Sequence, residues 1–322
     1  SPSNSGQVAT LEQAPFLHAG KIHVYNAAGG LDYVGALPDQ DYYSHMTGVL
    51  DPDGDWLVLP STRGVLHCWR LNNNGQNIFY KFADNTESVT NISPDGHYYV
   101  AYNDTGLSIC DGQKPGEVLH SLSLGNDVAF DAFADKMSDH WMATPCLGDS
   151  MLVWNWDKNR KWRFEMPLLP NFPVAFTPDE KYLAAAYQNG QVRVYDLATG
   201  MLAATRTFTG DIREMAFVPG TDELILLQVS TSDYDYTQKT ILRIIHPFKN
   251  DYRQRTVRLH EYFINSLAVS AQGDLLALSD GLDIRIFSVD NLTDEMAQIL
   301  PTGEGSMQGT SASVLAIQFA PD

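Results

Sequence analysis

The segment PVAFTPDEKYLAAAYQNGQVRVYDLATGMLAATRTF (173–208) contains the plan of the whole chain. PVAFTP (173–178) runs into the turn residues DEK, YLAAAYQ (182–188) into Asn-Gly, and QVRVYDL (191–197) into Thr199 and Gly200. MLAATRTF (201–208) closes the set. Short apolar runs separated by turn residues are what an antiparallel meander of four strands requires. Alanine and β-branched residues dominate the inner runs, which suits sheets that converge and need small side chains.

The same order recurs outward in both directions, in VTNISPDGHYYVAYNDTGLSICD (89–111) and INSLAVSAQGDLLALSDGLDIRIFSVD (264–290). The turns fall at Pro52, Pro94, about Asp135, Pro178, Pro219, Ala271 and Pro321, with spacings of 42, 41, 43, 41, 52 and 50 residues. A period of roughly 40 to 45 residues with four strands per unit is that of propeller blades, none of which buries its faces without a neighbour. After the last turn the chain stops at Asp322, with only the innermost strand SVLAIQFAPD of a seventh unit written. QVATLEQ (7–13), GKIHVYN (20–26) and LDYVGAL (31–37) have the form of its second, third and outer strands. The expectation is an all-β, seven-bladed β-propeller spanning 1–322 as one domain. Pairing the C-terminal strand with N-terminal strands closes the ring and removes two exposed edges. The end at Asp322 fits either a native terminus or a segment excised from a longer protein.

Composition narrows the partners. Hydrophobic residues make up 44% of the 322 residues and aromatic residues 11%, enough for a large core. No apolar run approaches the roughly 20 residues that cross a bilayer, and SPSNSGQVAT (1–10) has no basic start or apolar stretch of a signal peptide. Cys68, Cys110 and Cys146 make an odd count in three different blades and read as buried free thiols. They favour a reducing, intracellular location, cytoplasmic or nuclear. The sequons at Asn91, Asn103 and Asn291 do not outweigh this, since Asn91 sits inside an expected strand. A net charge of −18 opposes nucleic-acid binding, which needs Lys and Arg to replace counterions. Basic proteins or segments are the favoured partners.

With GQVRVYDLATG (190–200), TRGVLHCWRL (62–71), SMLVWNWDKN (150–159) and the SPDG turns in view, the chain resembles the WD40-repeat family over essentially its whole length, as a divergent member. The family's hydrogen-bonded set joins a His before the innermost strand, a Ser or Thr, a turn Asp and a Trp in the third strand. Only the sixth blade supplies the His, His260, and there the Trp position holds Phe287, which has no donor. Trp69 and Trp154 occupy that position in the first and third blades, whereas Tyr195, Cys110 and Tyr25 replace it elsewhere. The resemblance implies a rigid, non-catalytic platform for protein assembly: a scaffold or adaptor.

Signatures of chemistry are absent. No GxSxG occurs, and GEGSMQG (303–309) misses both that spacing and the GxGxxG pattern. DPDGD (51–55) alternates carboxylates, yet Trp56 stands where a calcium loop needs Gly. The histidines form no HExxH and no pairing with cysteine. No catalytic residue, metal or cofactor is therefore expected. The enzyme alternative is a propeller hydrolase or lactonase with its site in the central channel, assembled from distant loops.

Two surfaces are candidates for binding. Loops from the outer strand to the next blade, and from strand two to strand three, are acidic and aromatic. In STSDYDYTQK (230–239), Tyr234 and Tyr236 alternate with Asp233 and Asp235, flat apolar faces beside negative charge that suit Lys or Arg side chains. Tyr42, Tyr43, Phe172 and Tyr262 border the same face. On the opposite face, WNWDKNRKWRF (154–164) carries Lys158, Arg160, Lys161 and Arg163, and HPFKNDYRQRTVRL (246–259) carries Lys249, Arg253, Arg255 and Arg258. These suit an anionic ligand: a phosphorylated segment, an acidic peptide, or a phosphoinositide in peripheral contact with an anionic membrane. Local compensation by nearby acids is the competing reading for that set.

Overall fold

The computed structural model describes residues 8–13, 20–25, 31–36, 49–50, 56–60, 65–70, 76–81, 88–103, 106–112, 114, 117–124, 136–146, 150–165, 173–187, 190–230, 239–257, 267–279, 283–292, 298–301 and 313–319, with side chains for most of those between 91 and 292. Among the described residues every regular element is a strand. In chain order the first three are β1 (Val8–Gln13), β2 (Gly20–Tyr25) and β3 (Leu31–Ala36). A first sheet follows from β4 (Val49–Leu50), β5 (Trp56–Pro60), β6 (Val65–Arg70) and β7 (Gln76–Lys81). The second holds β8 (Ser88–Ile92), β9 (Tyr98–Asn103), β10 (Gly106–Asp111) and β11 (Val118–Ser123). The third holds β12 (Lys136–Met137), β13 (Trp141–Cys146), β14 (Ser150–Asn155) and β15 (Arg160–Glu165). The fourth holds β16 (Val174–Phe176), β17 (Tyr182–Ala186), β18 (Gln191–Asp196) and β19 (Leu202–Thr207). The fifth holds β20 (Asp211–Phe217), β21 (Leu224–Ser230), β22 (Lys239–His246) and β23 (Asp251–Val257). The sixth holds β24 (Leu267–Val269), β25 (Leu275–Ser279), β26 (Asp283–Ser288) and β27 (Gln298–Pro301), and β28 (Ser313–Phe319) is last.

Each sheet is a four-stranded antiparallel meander, and the seventh is made from both ends of the chain in the order β28-β1-β2-β3. β28 pairs with β1 from Val8↔Phe319 to Gln13↔Ser313. The strand limits match the expected 7–13, 20–26 and 31–37 within a residue at each end. The chain divides into two compact units, Ser1–Val128 with Phe263–Asp322, and Ala129–Tyr262. The second unit contains the third, fourth and fifth sheets.

Within that second unit, the burial pattern follows from stacking sheets on sheets. The second strand of the fourth sheet is covered on both faces, so Leu183, Ala184, Ala185 and Ala186 are all at 0% exposure. Leu183 and Ala185 pack with Trp141, Met151 and Val153 of the third sheet, whereas Ala184 and Ala186 pack with Ile212, Met215 and Leu226 of the fifth. Two consecutive small residues per turn of the pleat let two layers approach one strand. The outer strand β19 has only one covered face, so inward Ala204 alternates with exposed neighbours. Burying a side chain the size of Leu183 contributes about 2 kcal/mol.

Two of the described turns follow one recipe. In the second sheet Ser93 Oγ donates to Asp95 at 2.5 Å and accepts from the Tyr98 amide at 2.9 Å. Ser270 repeats this with Asp274 at 2.7 Å and the Leu275 amide at 3.0 Å. In the third sheet the turn lies at Ser138–His140, not near Asp135, which precedes β12. It is shorter, closing Ser138 N–H onto Trp141 O at 2.8 Å, and has no acid at the matching place. The fourth sheet supplies one: Glu180 accepts from Ser138 Oγ at 2.8 Å and from the His140 amide at 2.7 Å. Glu180 itself sits in the left-handed region at φ 57°, where Gly96 and Gly273 stand in the sister turns. A β-carbon there costs on the order of 1 kcal/mol, which the bridging hydrogen bonds offset.

Cys110 and Cys146 are buried free thiols, as expected, and burial pushes the Cys110 thiol up to about 12. Cys68's side chain lies outside the described residues. Asn91 is in β8 at 9% exposure, which leaves no room for a glycan.

Candidate functional site

In a four-stranded meander the second and fourth strands run the same way, so the connections that leave them emerge at the same end of their sheet. The segment 231–238 joins β21 to β22 across the pair Ser230↔Lys239. Its eight residues exceed every other connection between second and third strands, none of which is longer than six. Tyr42 and Tyr43 fall between β3 and β4, Phe172 between β15 and β16, and Tyr262 between β23 and β24. These residues, together with Asp233, Tyr234, Asp235 and Tyr236, lie outside the described residues, as do His260, DPDGD (51–55) and GEGSMQG (303–309).

The basic turns are described in large part, and three of their eight cations have a partner among the described residues. The Arg160 guanidinium donates to Ala198 O at 3.0 Å, and Arg163 donates to Ser150 Oγ at 3.3 Å. Between them, Trp162 Nε1 donates to Leu197 O at 3.0 Å, fastening the third sheet to the fourth. Arg253 pairs with Glu223 at 2.8 Å. Lys158 and Lys161 are exposed. The side chain of Arg255 and all of Arg258 lie outside the described residues. Compensation by an acid therefore holds for Arg253, whereas Arg160 and Arg163 each bond a neutral oxygen.

Lys249 differs, because it lines an open cleft of about 430 Å³ between the outer strands of the fourth and fifth sheets. Two further cations line it, Arg206 of β19 and Arg243 of β22, with Phe208, Tyr252 and Asp251. Arg243 is only 9% exposed. Its Nε–H donates to Gln228 Oε1 at 2.8 Å, and a terminal nitrogen donates to Gln254. Gln228 is held in turn by donating to Thr209 O. The Arg243 carbon Cζ stands 5.4 Å from the Phe208 ring centre and 5.5 Å from that of Tyr252, within range of cation–π attraction. The Phe208 backbone is fixed by its N–H, which donates to Gly190 O at 2.9 Å. Gly190 has φ 70°, and a β-carbon on it would lie 1.9 Å from Phe208 O, so this turn admits only glycine. Buried Arg206 Nε has no hydrogen-bond partner among the described residues.

Arg206 and Arg243 were missed by motif reading because neither belongs to a local run of cations. Their signal was a phase one: ILRIIH (241–246) places a cation among aliphatics on the face that continues through buried Ile245. Among the described residues no three His, Cys, Asp or Glu side chains converge as a metal site, and no helix is long and apolar enough to cross a membrane.

Residues 174–196 match the WD40 family, described as "WD domain, G-beta repeat". No curated protein sequence matches the chain. Three solved structures are similar in fold. The β-propeller domain of Myceliophteria thermophila Cps50 (Swd1) has a TM-score of 0.58 at 15% identity, covering 87% of this chain and 91% of that one. Kuenenia stuttgartiensis hydrazine synthase gives 0.64 at 15% identity over 89% and 92%, and a chain of the mitotic checkpoint complex gives 0.60 at 13% over 92% and 84%. The chain is thus similar to divergent WD40 β-propellers in repeat and in fold.

Proposed function

We propose that the chain is a non-catalytic protein-interaction module that binds a basic, Lys- or Arg-containing segment on its acidic and aromatic loops. The seven four-stranded sheets make up one closed, seven-bladed ring in this reading, and the module works as a scaffold or adaptor inside the cell. The observation that carries it is the segment 231–238, the longest second-to-third-strand connection, in which Tyr234 and Tyr236 alternate in sequence with Asp233 and Asp235 in a chain of net charge −18. Aromatic anchors concentrate interface energy, and their acidic neighbours steer a cationic partner. Similarity to a checkpoint-complex chain and to Swd1 supports the general scaffold role only. In the first basic turn Arg160 and Arg163 each direct one N–H to a neighbouring neutral oxygen.

The test is affinity capture from extract with wild type and a Tyr234→Ala, Tyr236→Ala double variant at two salt concentrations, with captured proteins identified by mass spectrometry. A salt-sensitive basic partner lost from the variant, at unchanged Tm, is the expected result. Equal capture by both proteins excludes these residues as the site.

A further inference from the structure

The layer between the third and fourth sheets and the layer between the fourth and fifth share one plan, and register makes the positions comparable. Arg193 of β18 pairs with Ala185, two residues after Leu183, and Arg243 of β22 pairs with Leu226, two residues after Leu224. Leu183 and Leu224 follow equivalent turns, closed by Thr177 N–H to Tyr182 O and by Val218 N–H to Glu223 O. Both arginines donate Nε–H to a glutamine and lie over aromatic rings. Arg193 is then neutralised by Glu165 of the preceding sheet at 2.5 Å. Glu165 is the last residue of β15, paired with Ser150, which opens β14. The last residue of β19, paired with Gln191, which opens β18, is Thr207. Where one layer has a carboxylate, the next has a hydroxyl that lines the cleft.

The difference grows at the neighbouring position. Phe164, paired with Met151, stacks on Tyr195 at 4.1 Å between ring centres. Its equivalent, paired with Val192, is Arg206. A second guanidinium therefore replaces an aromatic ring, and Lys249 adds a third cation. None of the three has a carboxylate partner among the described residues, and the exposed Asp251 is the single acid lining the cleft. Arg243 is buried, Arg206 half-buried and Lys249 exposed; unpaired charge at the depth of Arg243 is costly, and the remedy is a counter-ion of its own.

We propose that this cleft is a binding site for a phosphate dianion, which stands where Glu165 stands in the adjacent layer. Three cations against one acid leave two positive charges, matching a phosphate of roughly −1.5 to −2 better than a single carboxylate. Guanidinium forks are suited to two oxygens of one phosphate, and the Thr207 hydroxyl adds a donor. The cleft volume lies within the roughly 300–1,000 Å³ of small-molecule sites, leaving space beside the Tyr252 ring for the organic part of a phosphomonoester.

The experiment titrates the intact chain with inorganic phosphate, phosphoserine and acetate at constant ionic strength, read by calorimetry and by Tm. Wild type is expected to bind phosphate saturably and to gain Tm, and acetate is expected to bind at least ten-fold more weakly. Tighter binding of phosphoserine than of inorganic phosphate identifies a phosphomonoester site, and the reverse order identifies free phosphate; either supports the proposal. Thr207→Glu restores the internal carboxylate, so it is expected to raise Tm without ligand and to lower phosphate affinity at least ten-fold. Arg206→Met is expected to lower that affinity equally, and serves if the first variant does not fold. No saturable phosphate binding, acetate as good as phosphate, or unchanged affinity in both variants overturns the assignment.

Discussion

Two adjacent inter-sheet layers use the same scaffold and finish it differently. Between the third and fourth sheets, Trp141, Met151, Leu183, Tyr187 and Tyr195 form a filled layer, and Arg193 closes its edge with Glu165. The Tyr187 hydroxyl shares a hydrogen bond with Tyr195 at 2.9 Å and reaches Glu165 O at 3.0 Å. Burial pushes the Tyr187 phenol upward, and the bond from Arg193 to Glu165 raises the guanidinium further above its ordinary range. Between the fourth and fifth sheets the apolar floor is equally complete, with Val192, Val194, Ile212, Leu224 and Leu226 at 1% exposure or less. Its edge, however, is Arg206, Arg243 and open space. The lesson is that repeat architecture conserves the floor of each layer, whereas the rim is free to be sealed or opened.

The strongest way to break this comparison is at the floors. Leu183→Ala and Leu226→Ala each remove a fully buried side chain, and both should destabilise by about 2–5 kcal/mol; denaturant unfolding that shows one costing much less would mean the floors are not equivalent. The rims should then part company. Arg243→Met removes a buried charge without a carboxylate, yet it leaves the Oε1 of fully buried Gln228 without its donor and loses two ring contacts, so it should cost about 1–3 kcal/mol in phosphate-free buffer. Arg193→Met loses an ion pair and a cation–π contact and should cost about 1 kcal/mol. Added phosphate should widen the loss at Arg243 and leave that at Arg193 unchanged in paired melting curves, and equal responses erase the contrast. The smallest effect is expected from Glu165→Gln. Glu165 is 63% exposed, so solvent screening holds the loss to about 0.5 kcal/mol. That loss should disappear at high salt, as titrated melts would register.

The strands were legible because hydrophobic periodicity and turn residues depend on local sequence. That holds for β16 to β19, and even for the shared seventh sheet, where an incomplete unit at one end matched three orphan strands at the other. The third turn was misplaced because Ser138–His140 lacks Pro-Asp-Gly and takes its acid from Glu180, a residue 40 positions away. The cleft was illegible for a related reason. Arg206 and Arg243 acquire meaning only when β19 and β22 face each other, and the absence of an acid is visible only once Thr207 is in register with Glu165. Of the basic turns read from composition, Arg160, Arg163 and Arg253 reach a carbonyl, a hydroxyl and an acid that local sequence does not reveal.

Glu180 also bears on where this chain can be cut. Its carboxylate completes the turn before β13, so the third sheet has no self-sufficient boundary on its C-terminal side. A fragment ending between residues 165 and 180 would contain all four strands of that sheet, yet leave the Ser138 hydroxyl and the His140 amide without the acceptor they use in the intact protein. Strand count alone is therefore a poor guide to a minimal unit: the smallest autonomous piece includes the first turn of the repeat that follows.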